Sequence, residues 1–156
     1  MLRKGAAILT VWSAINFALA ALILTTLVVF DADSPLLVMV FERPEIAQFD
    51  PRVIAALNCL TILYNSCSVA LSVLVLYIIR SGLVHGERRA FWALLVTIGF
   101  VEVMANLASA QVGHARWQVN VLLSVLYVVG MGLAGAGIFR SPAPDLQPRN
   151  LRLPLG

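Results

Sequence analysis

Glu102 is a carboxylate set inside an apolar stretch, Thr97 to Gly113, where a membrane span is the natural reading. Around it Gly99, Glu102, Asn106, Ser109 and Gly113 recur at intervals of three and four residues, which places them on one helix face. A charge at the bilayer centre costs roughly 2.5–3.5 kcal/mol on insertion scales, and residues that carry one usually face the bundle interior and mark function. No Lys or Arg lies within the apolar runs to pair with it. The neutral acid, hydrogen-bonded to Asn or Tyr partners, is therefore the expected resting form. A carboxyl held this way can bind a proton, donate to a ligand oxygen or act as a general acid/base. The plainer alternative is that Glu102 and nearby asparagines hold the helices together, each bond worth about 0.6–2 kcal/mol.

Other reactive residue types offer less. Cys59 and Cys67 fall in one apolar run, and eight residues of helix separate them by about 12 Å, too far for a disulfide. They read as small packing residues. His85 and His114 lie in different connections, so no metal site is expected and no cofactor motif stands out. Gly130-Met-Gly132-Leu-Ala-Gly135 matches the glycine pattern of dinucleotide-binding turns, but that motif needs a strand before it and a loop entering a helix. Here it sits inside an apolar helix. Small-residue packing is the better reading, with Gly130/Ala134 and Gly132/Ala136 as contacts for a second copy or a partner subunit.

The elements that position Glu102 follow from composition. The chain has 156 residues, 60% hydrophobic and 12% charged, with a mean hydropathy of +0.90. Its charges are segregated between long apolar runs, the pattern of an integral membrane protein lying in the lipid bilayer. The net charge of +3 does not indicate nucleic acid, because the basic residues flank apolar runs and form no patch with exposed aromatics.

Four spans are predicted, at about 5–30, 52–79, 90–112 and 117–139. The first follows Arg3 and Lys4 and includes Ala18-Leu19-Ala20, which resembles a signal-peptide cleavage site, but the apolar run continues well past it. Residues 31–51 form an acidic outer loop whose apolar Pro35–Phe41 segment is too short to span. That segment is expected at the membrane surface or folded over the helix ends. Asp50-Pro51 reads as a helix start, an N-cap followed by proline at the first position. The tail, 141–156, holds Pro142, Pro144, Pro148 and Pro154 and is expected to be disordered. Arg3, Lys4, Arg80, Arg88, Arg89, Arg140, Arg149 and Arg152 fall on one side, and Arg43, Arg52 and Arg116 on the other. By the positive-inside rule both termini are cytoplasmic. The expected fold is all-α, four transmembrane helices in an up-down-up-down antiparallel bundle of the cell (inner) membrane.

Each span carries its own polar seam: Ser13, Asn16 and Ala20; Asn58, Thr61, Asn65, Ser68 and Ser72; the Glu102 face; and Asn120, Ser124 and Tyr127. Counted from the predicted ends, Asn16, Asn65, Glu102 and Tyr127 fall near one depth, the midplane. A polar cavity open to the outside, with Glu102 near its floor, is the resulting expectation. Its ligand-binding residues are Glu102, Asn106, Asn65, Asn16, Tyr127, Asn58 and Asn120.

Four spans, cytoplasmic ends and a longer first outer loop resemble in plan the sterol-isomerase-like EXPERA proteins and small DoxX-like bacterial membrane proteins. No catalytic motif of either matches residue by residue, so the plan carries no activity across. The leading functional expectation is a membrane protein whose pocket takes a small amphipathic or lipid-like molecule or handles a proton. The alternatives are a structural or accessory subunit of a larger complex and an isomerase-type enzyme with Glu102 as acid/base. The enzyme reading is disfavoured because no second acid or histidine lies at that depth.

Overall fold

The computed structural model describes residues 1–29, 43–112 and 117–140. In order these form α1 (Leu2–Val29), a one-turn α2 (Arg43–Ile46), α3 (Pro51–Ser81), a 3-10 turn (Leu83–His85), α4 (Arg88–Val112) and α5 (Trp117–Arg140). No strand occurs among the described residues. Helices α1, α3, α4 and α5 are long and apolar enough to cross a membrane. The 28 residues of α1 and 31 of α3 extend about 42 and 46 Å. Both exceed a hydrocarbon core of about 30 Å. Helix α1 begins at Leu2, ahead of the predicted start, because Arg3 and Lys4 are good helix formers and nothing breaks the run. Pro35–Phe41, residues 113–116 and the tail lie outside the described residues.

Local chemistry sets the ends of α3. Asp50 caps it, its carboxylate accepting from the Arg52 amide at 2.8 Å, and Pro51 occupies the first turn. At the other end the Gly82 amide donates to the Ile78 carbonyl at 3.0 Å. Gly86 then takes a left-handed conformation, φ 80°, that glycine adopts without strain, and turns the chain into α4.

Helix α1 packs against both α3 and α5, while α4 packs on α5 and meets α3 only sparsely. The α1–α5 seam is close because its residues are small. A Cβ on Gly5 would sit 2.7 Å from the Gly130 carbonyl oxygen, and one on Gly137 would sit 2.7 Å from the Leu2 Cα. Leu2 thus meets Gly137, Gly5 meets Gly130 and Ala134, and Trp12 meets Tyr127, so rising positions on α1 match falling positions on α5. Gly130 and Ala134, two of the expected partner-contact residues, face α1 in this seam, and Ala134 is fully buried. Gly132 faces open space.

The buried apolar side chains concentrate at one end of the bundle. Leu9, Ile79, Leu83, Leu94, Ile98, Met131 and Ile138 belong to one cluster there, closed by Phe91 edge-on to Phe139 at 5.5 Å and by the Arg88 guanidinium 5.4 Å over the Phe139 ring. The outward faces carry exposed Leu22, Leu60, Leu63, Val96, Phe100, Leu122 and Val128, a surface suited to lipid rather than water. Cys59 and Cys67 are free and exposed on α3, so they do not pack inside the bundle as their size and apolar surroundings led us to expect.

Candidate functional site

The seam between α4 and α5 is polar along several turns. The Ser124 hydroxyl donates to Glu102 Oε2, and Asn106 Nδ2 donates both to Ser124 Oγ and to the Glu102 carbonyl, each at 2.8 Å. Farther along, Asn120 Nδ2 donates to Ser109 Oγ, while Ser109 returns its own proton to the Ala105 carbonyl at 2.8 Å. In the other direction the Tyr127 hydroxyl is directed at the Leu94 and Leu95 carbonyls, 3.1 and 3.2 Å away. Across α1 and α3 the Ser13 hydroxyl donates to the Ser72 carbonyl at 2.9 Å.

Beside this seam all four long helices border a cavity of about 80 Å³. Trp12 and Asn16 come from α1, and Glu102, Val101 and Ala105 from α4. Tyr64, Ser68, Leu71, Ser72 and Val75 line it from α3, and Asn120 and Leu123 from α5. The space has room for several waters, since one needs only about 10–15 Å³ by this kind of measure. It falls short of the roughly 300–1,000 Å³ that encloses a whole drug-sized ligand. Glu102 is the one ionisable carboxylate on its wall, with Ser124 as the hydrogen-bond donor to its side chain among the described residues.

Trp12 is the residue that sequence reading passed over. It is 5% exposed, lies 5.8 Å from the Tyr127 ring, lines the cavity, and its indole N–H is buried without a hydrogen-bond partner. An unmade bond of this kind costs about 1–3 kcal/mol. The available signal was that Trp12 precedes Asn16 by four residues on the same helix face. Ser124 was recognised as part of its helix seam but not as the direct partner of Glu102.

The structure gathers only some of the expected ligand residues. Glu102, Asn16 and Asn120 line the cavity. Asn65 is buried but does not line it, and its amide donates to the Thr61 carbonyl at 2.7 Å. Asn16 likewise donates to the Trp12 carbonyl at 2.9 Å. Tyr127 stands behind Trp12. Asn106 and Ser124 face a separate shallow groove of about 330 Å³ whose other walls are Val121, Val125, Val128 and Val129. Asn58 is remote from the cavity, and its Oδ1 is buried without a partner. The lining reaches Leu71 and Val75 toward the apolar cluster, takes in Asn120 from α5, and includes neither Asn58 nor Thr61. Bonding to the carbonyl four residues earlier does not decide this, since Asn65 makes that bond away from the cavity while Asn16, Ser68 and Ser72 make it and line the space.

Among the described residues no group of three or more His, Cys, Asp or Glu side chains is placed to hold a metal ion. Comparison of the chain with family models, curated proteins and solved structures finds no match.

Proposed function

We propose that this chain is a multi-pass protein of the cell (inner) membrane whose four long helices form an up-down-up-down bundle with cytoplasmic ends. We further propose that its Glu102 site binds the polar end of a small amphipathic or lipid-like molecule or handles a proton. The orientation rests on the arginine and lysine bias, and the matching of rising α1 positions with falling α5 positions supports the alternation. The binding reading rests on one observation above others: a carboxyl, an unpartnered indole N–H and two asparagine side chains border one cavity inside the apolar spans. Helix glue needs no cavity.

A structural role is the second reading, and the Glu102–Ser124–Asn106 and Ser109–Asn120 bonds favour it. An enzyme is less well supported, because among the described residues no second carboxyl and no histidine borders the space. Thermal unfolding separates the first two. A ligand present at a hundredfold excess over its Kd stabilises the folded state by about 2.7 kcal/mol. For a domain of this size that is about 5–10 °C in Tm. Delipidated wild-type protein should regain such a shift when total lipid extract of the expressing cells is added, and Glu102→Leu should not. Equal shifts in the two proteins favour glue.

A further inference from the structure

We propose that the gap between α3 and α4 is a lateral entrance from the bilayer, through which a lipid carrying a free hydroxyl sets that group between Trp12 and Glu102. This rests on the Glu102 site being a binding site and adds the route and the ligand class. Three observations carry it. Helices α3 and α4 are consecutive in the chain yet meet only sparsely, and the cavity is bordered by both. Its volume, about 80 Å³, admits a polar end group but no lipid body, so the remainder of the molecule must lie outside, where Tyr64 of α3, a lining residue, is itself exposed. Finally, the indole N–H of Trp12 is a buried donor with nothing to donate to, on the same wall set as the Glu102 carboxyl, whose Oε2 is taken by Ser124.

The chemistry selects a hydroxyl. Indole N–H only donates, so the ligand atom must accept. A carboxyl in either protonation state can accept, so a ligand that also donates satisfies both walls. A hydroxyl does both with one oxygen, whereas an ether accepts only and a hydrocarbon does neither. The occupant is an apolar alcohol of the membrane.

The test uses the full chain in phosphatidylcholine vesicles with a diazirine-bearing hexadecanol as probe. Photolabelling should concentrate near Tyr64, Val101 and Ala105 and be competed by unlabelled hexadecanol several-fold better than by its methyl ether. Trp12→Phe, which keeps a smaller aromatic ring and removes the N–H donor, should lower labelling several-fold with helix content unchanged. Ala105→Phe, which narrows the gap, should do the same. Even labelling around all lipid-facing surfaces, or equal competition by alcohol and ether, overturns the proposal. If either occurs while lipid extract still stabilises wild type and not Glu102→Leu, the binding site stands and the entrance and hydroxyl selectivity fall.

Discussion

Ser124 on α5 donates its hydroxyl to Glu102 on α4 while accepting from Asn106, so one serine joins the membrane carboxyl to the amide one turn away. Removing that hydroxyl takes the Ser124 donor from Glu102 Oε2 and leaves Asn106 with its bond to the Glu102 carbonyl alone. Interhelical bonds in membranes measure roughly 0.6–1.7 kcal/mol, and a buried group left unpaired adds to that. Ser124→Ala should therefore lower stability by about 1–2 kcal/mol in denaturant unfolding of the micelle-bound protein. A change below about 0.3 kcal/mol contradicts the bond as drawn.

Glu102→Gln keeps an acceptor for Ser124 and the same shape, whereas Glu102→Leu keeps neither the polarity nor the acceptor. The delipidated Gln variant should unfold within about 0.5 kcal/mol of wild type and the Leu variant should lose about 1–3 kcal/mol. Parallel unfolding curves check this, and equal losses in both contradict it.

Gly5 and Gly132 should respond oppositely to alanine. The added methyl at Gly5 meets the backbone of α5, which cannot rotate away, and the expected cost is about 1–3 kcal/mol. At Gly132 nothing lies within 4 Å, so Gly132→Ala should be neutral within about 0.5 kcal/mol or slightly stabilising. Thermal unfolding of the two variants decides. A large loss at Gly132 would instead point to a partner helix on that face.

Both ends of the chain should lie in the cytoplasm. A fluorescent protein fused after Gly156 should light up, and alkaline phosphatase fused there should stay inactive. The reverse pattern overturns the orientation drawn from Arg80, Arg88, Arg89 and Arg140.

Much of the helical architecture was legible in the sequence, because uninterrupted apolar runs with Asp50-Pro51 and Gly82 at their edges leave few alternatives. The polar face of α4 was legible too, since Glu102, Asn106 and Ser109 follow helical spacing. The partners on that face were less so. Spacing tells which residues share a face, yet Asn65 and Asn16 bond carbonyls of their own helices rather than one another. The gap beside α4 was also hidden, because it depends on α1 being drawn against α5 through Gly5, Gly130 and Gly137, a consequence of three-dimensional packing. Trp12 escaped notice because an aromatic residue in an apolar run reads as core. Only its unpartnered N–H sets it apart.

Native mass spectrometry of the gently solubilised protein tests the binding claim most directly. Wild type should fly as a chain carrying one retained low-mass molecule, and Glu102→Leu, purified identically, should fly without it. A bare wild-type chain, or the same adduct pattern in both proteins, would contradict the account.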